Sequence, residues 1–176
     1  MKRPFSKGRP PEDHDARFIK VALPRLKKHW NTTGHVLDVG TGKSLRLAKL
    51  FSDVTAFDEK TPNCDIPEGI EYIQTDIESF EMDKKFSLII IWAVLYQFPP
   101  EVQKKYMSKL LDMLTDDGVI LIAEDHIREK RATRANSGED YYYRFDSLSD
   151  DLEIVDKFHV FWNRVALLKL KKDPRA

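Results

Sequence analysis

Cysteine is the scarcest chemistry in this chain. Cys64 stands alone, so no intrachain disulfide and no cysteine metal cluster can be built. A single thiol suits a reducing compartment, and the cytoplasm is the expected location. Histidine adds little: His14, His29, His35 and His159 have no metal-ligand spacing among them, and no metal is assigned. Charge of one sign is also lacking. Lys plus Arg and Asp plus Glu number 29 each, which removes a global footprint for nucleic acid and leaves only local basic patches. No apolar run approaches membrane-spanning length, and the start of the chain lacks the apolar core of a secretory leader, so no membrane role is expected.

What remains is the composition of one globular domain. In 176 residues, 41% are hydrophobic and 33% charged, enough apolar surface for a full core. Residues 1–15 hold Pro4, Pro10 and Pro11 with Lys2, Arg3, Lys7 and Arg9, and read as a flexible basic arm. The single domain is expected over residues 16–176. From Ala16 to Trp30, the residues Phe18, Ile19, Ala22, Leu23, Leu26 and Trp30 share one helical face. Pro24 should kink or split that helix.

The chain is organised around Val36-Leu37-Asp38-Val39-Gly40-Thr41-Gly42. A short buried strand runs into a glycine turn, and a helix is expected from Ser44 to Phe51. A strand, a Gly-x-Gly turn and a helix N-terminus together form a cradle for a nucleotide or cofactor. Further strands are expected at Val54–Phe57, Ile70–Gln74, Phe86–Trp92 and Val119–Ala123. Lys60 to Gly69 contains Pro62 and Pro67 without an apolar stripe and reads as a loop. Pro99-Pro100 opens a helix whose stripe is Val102, Tyr106, Leu110, Met113 and Leu114, and Asp116-Asp117-Gly118 is a turn. Leu152–Trp162 and Val165–Lys171 read as two strands joined by Asn163-Arg164. Strands alternating with crossovers predict an α/β fold: a Rossmann-like, doubly wound, mostly parallel sheet with a C-terminal antiparallel hairpin.

Ligands of such sheets bind beyond the carboxyl ends of the strands. That edge collects Asp38, Gly40, Thr41 and Gly42 from the first strand, Asp58 and Glu59 from the second, Asp76 and Ile77 from the third, and Trp92 from the fourth. Asp58 follows Asp38 by 20 residues, the spacing of a carboxylate that takes a ribose diol. Asp76 is placed to reach an adenine amino group, with Ile77 against the ring. Tyr96, Asp125 and His126 fall on the expected acceptor side, and Tyr141-Tyr142-Tyr143-Arg144 either lines an acceptor site or packs as an edge segment. Gly40-Thr41-Gly42-Lys43-Ser44 carries part of a phosphate-binding loop, but the glycine that pattern requires is replaced by Leu37. A dinucleotide fingerprint would need glycine at Leu45, although Asp58 suits a nicotinamide cofactor equally well.

Five segments in register resemble class I S-adenosylmethionine-dependent methyltransferases: Val36–Gly42, Val54–Asp58, Tyr72–Ile77, Phe86–Ile91 and Leu114–Ile122. Small single-domain members, the tellurite-resistance group among them, have a similar compact plan. The resemblance implies a seven-stranded sheet whose last strand is antiparallel, with S-adenosyl-L-methionine as cofactor. It also implies that Asp38 and the Gly40–Gly42 backbone hold the methionine part, with Trp92 beneath it. Lys43 stands where the family often has a small residue, and Ser87 where it has an acid.

The implied activity is methyl transfer, with a small molecule as the favoured acceptor. Nucleic acid and protein acceptors stay open through the basic arm and the Arg128–Arg134 cluster. Should the acceptor need to lose a proton, Asp125, His126 and Tyr96 are the candidate bases. The alternative is a non-catalytic module of the same fold that acts through protein or nucleic-acid partners. Oligomeric state is not legible from the sequence.

Overall fold

A computed structural model describes residues 15–125, 145, 148–160 and 163–172. Seven strands form one sheet: β1 (Val36–Val39), β2 (Val54–Asp58), β3 (Ile70–Gln74), β4 (Phe86–Trp92), β5 (Leu114–Asp125), β6 (Leu152–Val160) and β7 (Asn163–Leu170). Their spatial order is β3-β2-β1-β4-β5-β7-β6. The pairs β1–β2, β1–β4, β2–β3 and β4–β5 are parallel, and β7 runs antiparallel to both neighbours. The strand order reverses between β1 and β4, which is where an open α/β sheet leaves a crevice for a ligand.

Alternation along the central strands sorts the core into two layers. Leu37, Val39, Ile89, Ile91, Ile120 and Ile122 pack with Tyr106, Met107 and Leu110 of the helix Pro100–Leu111. Val36, Leu88, Ile90, Val119 and Leu121 pack on the other face with Phe18, Ala22, Leu26 and Trp30. The four isoleucine and leucine side chains of β4 are fully buried, as expected of a central strand covered on both faces.

The N-terminal helical segment carries the mark of Pro24. A π-helical turn at Phe18–Ala22 precedes the short helix α1 (Leu23–Leu26), with Pro24 in its first turn. Widening the turn places the missing proline N–H where no regular bond is needed. The wider turn also changes the face: Phe18, Ala22 and Leu26 are buried, whereas Ile19 is 45% exposed and does not join the stripe. Arg25 pairs with Asp156 at 2.9 Å and lies over the Phe158 ring, tying α1 to β6.

Three expectations are corrected. No α-helix follows the glycine turn; residues 42–47 are turns, and Ala48–Leu50 is a single 3₁₀ turn. Leu45 is the cause: it sits at φ 53° with its side chain fully buried, and a left-handed residue interrupts a right-handed helix. Leu114 belongs to β5 rather than to the helix stripe. Phe86 faces Leu114 but Leu88 faces Val119, so the 116–118 turn is a bulge inside one strand. Asn163 and Arg164 are not the hairpin connection. They open β7, with Asn163 opposite Val160 and Arg164 opposite His159; residues 161–162 lie outside the described residues. The segment between β2 and β3 is a loop, as its composition predicts. Among the described residues, no helix is long and apolar enough to cross a membrane.

Candidate cofactor site

The turn after β1 is built by two glycines with different reasons. Gly40 is at φ 63°, and a Cβ there would meet Val94 Cγ2 at 2.7 Å. Gly42 is at φ 71° with open space where its Cβ would point. Gly40 is therefore demanded by both conformation and close approach, whereas Gly42 is demanded by conformation and leaves room for a ligand. Ala93, after β4, is also left-handed at φ 57°, and its N–H donates to Ala123 O at 2.9 Å. Two non-glycine residues, Leu45 and Ala93, hold this conformation among the described residues; Ala93 lines the larger cavity described below, whereas Leu45 is fully buried in the core.

Asp58 binds the turn to the end of β2. Its Oδ2 accepts the Gly42 N–H at 2.9 Å and its Oδ1 accepts the Lys60 N–H at 2.9 Å. Each oxygen keeps a further acceptor site, which suits a diol. Asp76 accepts the Ser79 N–H at 2.7 Å, and this bond holds its carboxyl below the ordinary range. Ile77 is buried beside it, over a floor where Phe57 stacks on Phe80 with centroids 4.2 Å apart.

Asp38 differs from the other two carboxylates. It is 2% exposed, and burial pushes its pKa up to about 7 against the opposing bonds from the Thr41 hydroxyl and the Ala48 N–H. Thr41 Oγ1 donates to Asp38 Oδ2 at 2.6 Å.

Two cavities meet at Gly40. The larger, about 300 Å³, is lined by Gly42, Asp58, Glu59, Asp76, Ile77 and Tyr96, with Val94 and Phe98. The smaller, about 130 Å³, is lined by Asp38, Thr41 and Trp92, with Asp15, Phe18 and Arg46. Trp92 meets Phe18 edge to face at 5.6 Å. The structure thus brings together all of the cofactor-site residues expected from the sequence and sorts them to the two sides of one glycine. Tyr96, expected on the acceptor side, lies with the Asp58–Asp76 group. Asp125 ends β5 opposite Asn163. His126, Tyr141–Arg144, the Arg128–Arg134 cluster and residues 1–14 lie outside the described residues. Lys43 is exposed, and its carbonyl accepts the Asn63 N–H at 2.9 Å. Ser87 serves the opposite edge of the sheet, accepting Trp30 Nε1–H at 2.9 Å and donating to His35 O.

Sequence reasoning missed Asp15, Phe18 and Arg46 as site residues. Phe18 was legible only as core, and the pairing of Asp15 with Arg46 across 31 positions leaves no local signal.

A Gly-x-Gly turn, a carboxylate on each of three neighbouring strand ends and a crevice at the point of strand reversal define a Rossmann-like domain for a nucleoside-bearing cofactor. The comparisons with known proteins narrow the class. The chain belongs to a methyltransferase family, whose model, described as "Methyltransferase domain", matches residues 12–159. A ubiquinone biosynthesis O-methyltransferase of Rickettsia typhi is 28% identical over 118 residues, covering 60% of this chain and 47% of that protein. The chain therefore spans about half the length of the curated relative it matches.

Among solved structures, N-methyltransferase NodS of Bradyrhizobium japonicum WM9, in complex with S-adenosyl-L-homocysteine, superposes with a TM-score of 0.67 at 15% identity. The match covers 94% of this chain and 90% of that one. A 1,6-didemethyltoxoflavin-N1-methyltransferase of Burkholderia thailandensis matches with a TM-score of 0.60 at 14% identity, covering 98% and 94%. These likenesses establish the shared class I methyltransferase fold.

Proposed function

We propose that this protein is an S-adenosylmethionine-dependent methyltransferase acting on a small-molecule acceptor. One observation carries the reading: Asp38, Asp58 and Asp76 converge on the Gly40–Gly42 turn, where cavities open on both sides. An acidic edge complements a cationic ligand and repels phosphate. The residues fit the cofactor in kind. Asp58 offers its remaining acceptor sites to a ribose diol, Asp76 and Ile77 frame an adenine ring, and the space beside Gly42 admits atoms where a side chain would stand. When bound, the cofactor supplies an electrophilic methyl group on a sulfonium.

The chain's own work is alignment and exclusion of water. Val94 closes on Gly40, and Trp92 with Phe18 forms an apolar wall across the smaller cavity. Fixed geometry in a partly dried crevice is the main source of rate when the leaving group needs no protonation. Tyr96, Asp125 and His126 are the proposed bases for an acceptor that must lose a proton. The small molecules named for the Burkholderia N-methyltransferase and the Rickettsia O-methyltransferase support a small nitrogen or oxygen acceptor. The free thiol of Cys64 supports a cytoplasmic site of action.

Calorimetry with S-adenosylmethionine and S-adenosylhomocysteine tests the reading. Micromolar binding of both is expected, with methyl transfer to a member of a phenol and amine panel. Binding to neither overturns the proposal. Binding without turnover on any acceptor favours a non-catalytic module acting through protein or nucleic-acid partners.

A further inference from the structure

A strip of uncompensated positive charge covers one face of this chain, whose formal net charge is zero. Between Ala16 and Ser52 the only acidic residue is Asp38, and it is buried. The segments in that span pack over the face of the sheet that holds Val36, Leu88 and Ile90. Phe18, Ala22 and Leu26 turn inward, while Lys20, Lys27 and Lys28 stand exposed on the outer side. None of these three lysines makes an ion pair among the described residues. By contrast, Lys105 is neutralised by Glu78 at 2.7 Å, and Lys84 meets Glu71 at 3.5 Å.

A groove opens beside the strip. It encloses about 460 Å³ and is lined by Lys27, Trp30, Thr32, Lys49, Leu50 and Phe51. Phe51 is half-buried and meets Trp30 edge to face at 5.7 Å. Lys49 donates to Cys64 Sγ at 3.3 Å and meets no carboxylate among the described residues. Asp53 also lines the groove, with its carboxylate 2.6 Å from His35 Nδ1. β1 separates this groove from the cofactor crevice. Val36, at its start, lines the groove, and Val39, at its end, lines the larger cavity.

We propose that this face is a docking surface for single-stranded nucleic acid, which lays its phosphates along Lys20, Lys27, Lys28 and Lys49 and one unstacked base in the groove. A phosphate backbone needs only spaced cations for its hold. A protein partner draws its affinity from buried apolar anchors, and Ile19 is the one large apolar side chain exposed on the described N-terminal segment. A membrane surface needs an apolar face that can insert, and Phe18, Ala22 and Leu26 are already committed to the core. The groove adds an aromatic floor with cations at its rim, a feature that a duplex cannot use. A base splayed from a single strand stacks on such a floor while its phosphate meets a lysine. The surface lies at the amino end of β1, so it is separate from the methyl-transfer crevice and does not depend on the cofactor reading.

Fluorescence anisotropy of the full chain with a short labelled oligothymidylate tests the proposal. Micromolar binding is expected at low salt. With a phosphate on each of the four lysines, affinity should fall about fiftyfold on a fourfold rise in salt. Lys20→Ala, Lys27→Ala and Lys28→Ala combined should weaken binding at least tenfold and flatten the salt dependence. Thermal melts of that variant should match wild type, because all three side chains are exposed. Lys105→Ala, on the helix over the opposite face, should change nothing. A strand of abasic sites should bind at least fivefold more weakly, and a duplex of the same length should also lose affinity. Saturating S-adenosylhomocysteine should leave oligonucleotide binding intact.

Absence of binding overturns the proposal, as does binding that survives the triple substitution. Equal affinity for the abasic strand or the duplex removes the base from the groove and overturns a single-stranded partner. Displacement by poly-L-glutamate at equal charge concentration points to an acidic protein and overturns the nucleic-acid assignment. Displacement by S-adenosylhomocysteine puts the strand in the cofactor crevice and overturns a separate surface.

Discussion

Replacing Asp38 by asparagine should make the protein more stable and a poorer binder of its cofactor. The carboxyl is buried, and its pKa is raised from 3.8 to about 7. Each tenfold change in proton affinity is worth about 1.4 kcal/mol, so an ionised Asp38 costs the folded state about 4 kcal/mol. The sign follows from which state holds the proton. Below pH 3.8 the carboxyl is protonated whether the chain is folded or not, and it contributes nothing. Between that pH and about 7 the unfolded chain releases the proton while the folded one keeps it, so stability falls as pH rises.

Above that window the loss levels off. At pH 5 the cost is about 1.6 kcal/mol and at pH 8 about 4 kcal/mol. The Asp38→Asn variant escapes this dependence. The new amide oxygen can accept the Ala48 N–H, and the amide nitrogen can donate to Thr41 Oγ1, so neither partner is stranded. Relative to wild type, the variant should therefore gain about 2–3 kcal/mol between pH 5 and pH 8, or roughly 5–10 °C in Tm for a domain of this size. Urea unfolding of both proteins at the two pH values gives the double difference, in which other titrating groups cancel. Parallel stability–pH curves for the two proteins would refute the buried-proton argument.

The same carboxyl predicts that wild-type affinity for S-adenosylmethionine, a cation, rises as pH passes upward through about 7; titration calorimetry across that range should show the rise, and Asp38→Asn should flatten it. Asp58→Ala should weaken cofactor binding by about 1–3 kcal/mol through loss of a charge-assisted bond, and an unchanged affinity would remove Asp58 from the ribose role. Gly40→Ala should destabilise by roughly 1–3 kcal/mol in thermal melts, because overpacking against Val94 Cγ2 adds to the left-handed strain. Gly42→Ala, with open space around the new methyl, should cost only about 1 kcal/mol. Ala93→Gly should raise stability by about 0.5–1 kcal/mol in the same melts, by relieving φ 57° at a non-glycine residue.

The sheet was legible because its signals are local. Leu88–Ile91 is apolar on both faces, which marks a central strand, while Asp38 stands near the end of β1, Asp58 ends β2 and Asp76 follows β3 by two residues. Topology then places them on one edge with no further information. The absent helix after Gly42 was not legible, since nothing in Ser44–Phe51 resists a helix. Leu45 is left-handed because the core takes its side chain, a tertiary effect that overrides local preference. The hairpin failed for a similar reason. Asn163-Arg164 has turn character, but Arg164 pairs with the buried Glu124 at 2.9 Å, and that bond requires it in the strand. Asp15 and Arg46 meet only after folding, so their pairing beside the smaller cavity could not be read in advance.

The bond from Gly42 to Asp58 has a consequence for what this crevice ignores. In a phosphate loop the backbone amides after the strand are the recognition device, and they must be vacant. Here the Gly42 amide already points at a carboxylate of the protein itself, and the left-handed Leu45 stops a regular helix from aiming further amides at the same place. ATP, ADP and NAD share the adenosine that such a site can admit, yet each brings phosphates to an edge that has an acid where they need a donor. Such nucleotides should therefore compete only weakly with the cofactor for this crevice, which a displacement assay with ATP would check. The device is one side chain that acts as a built-in anion, rather than a wall.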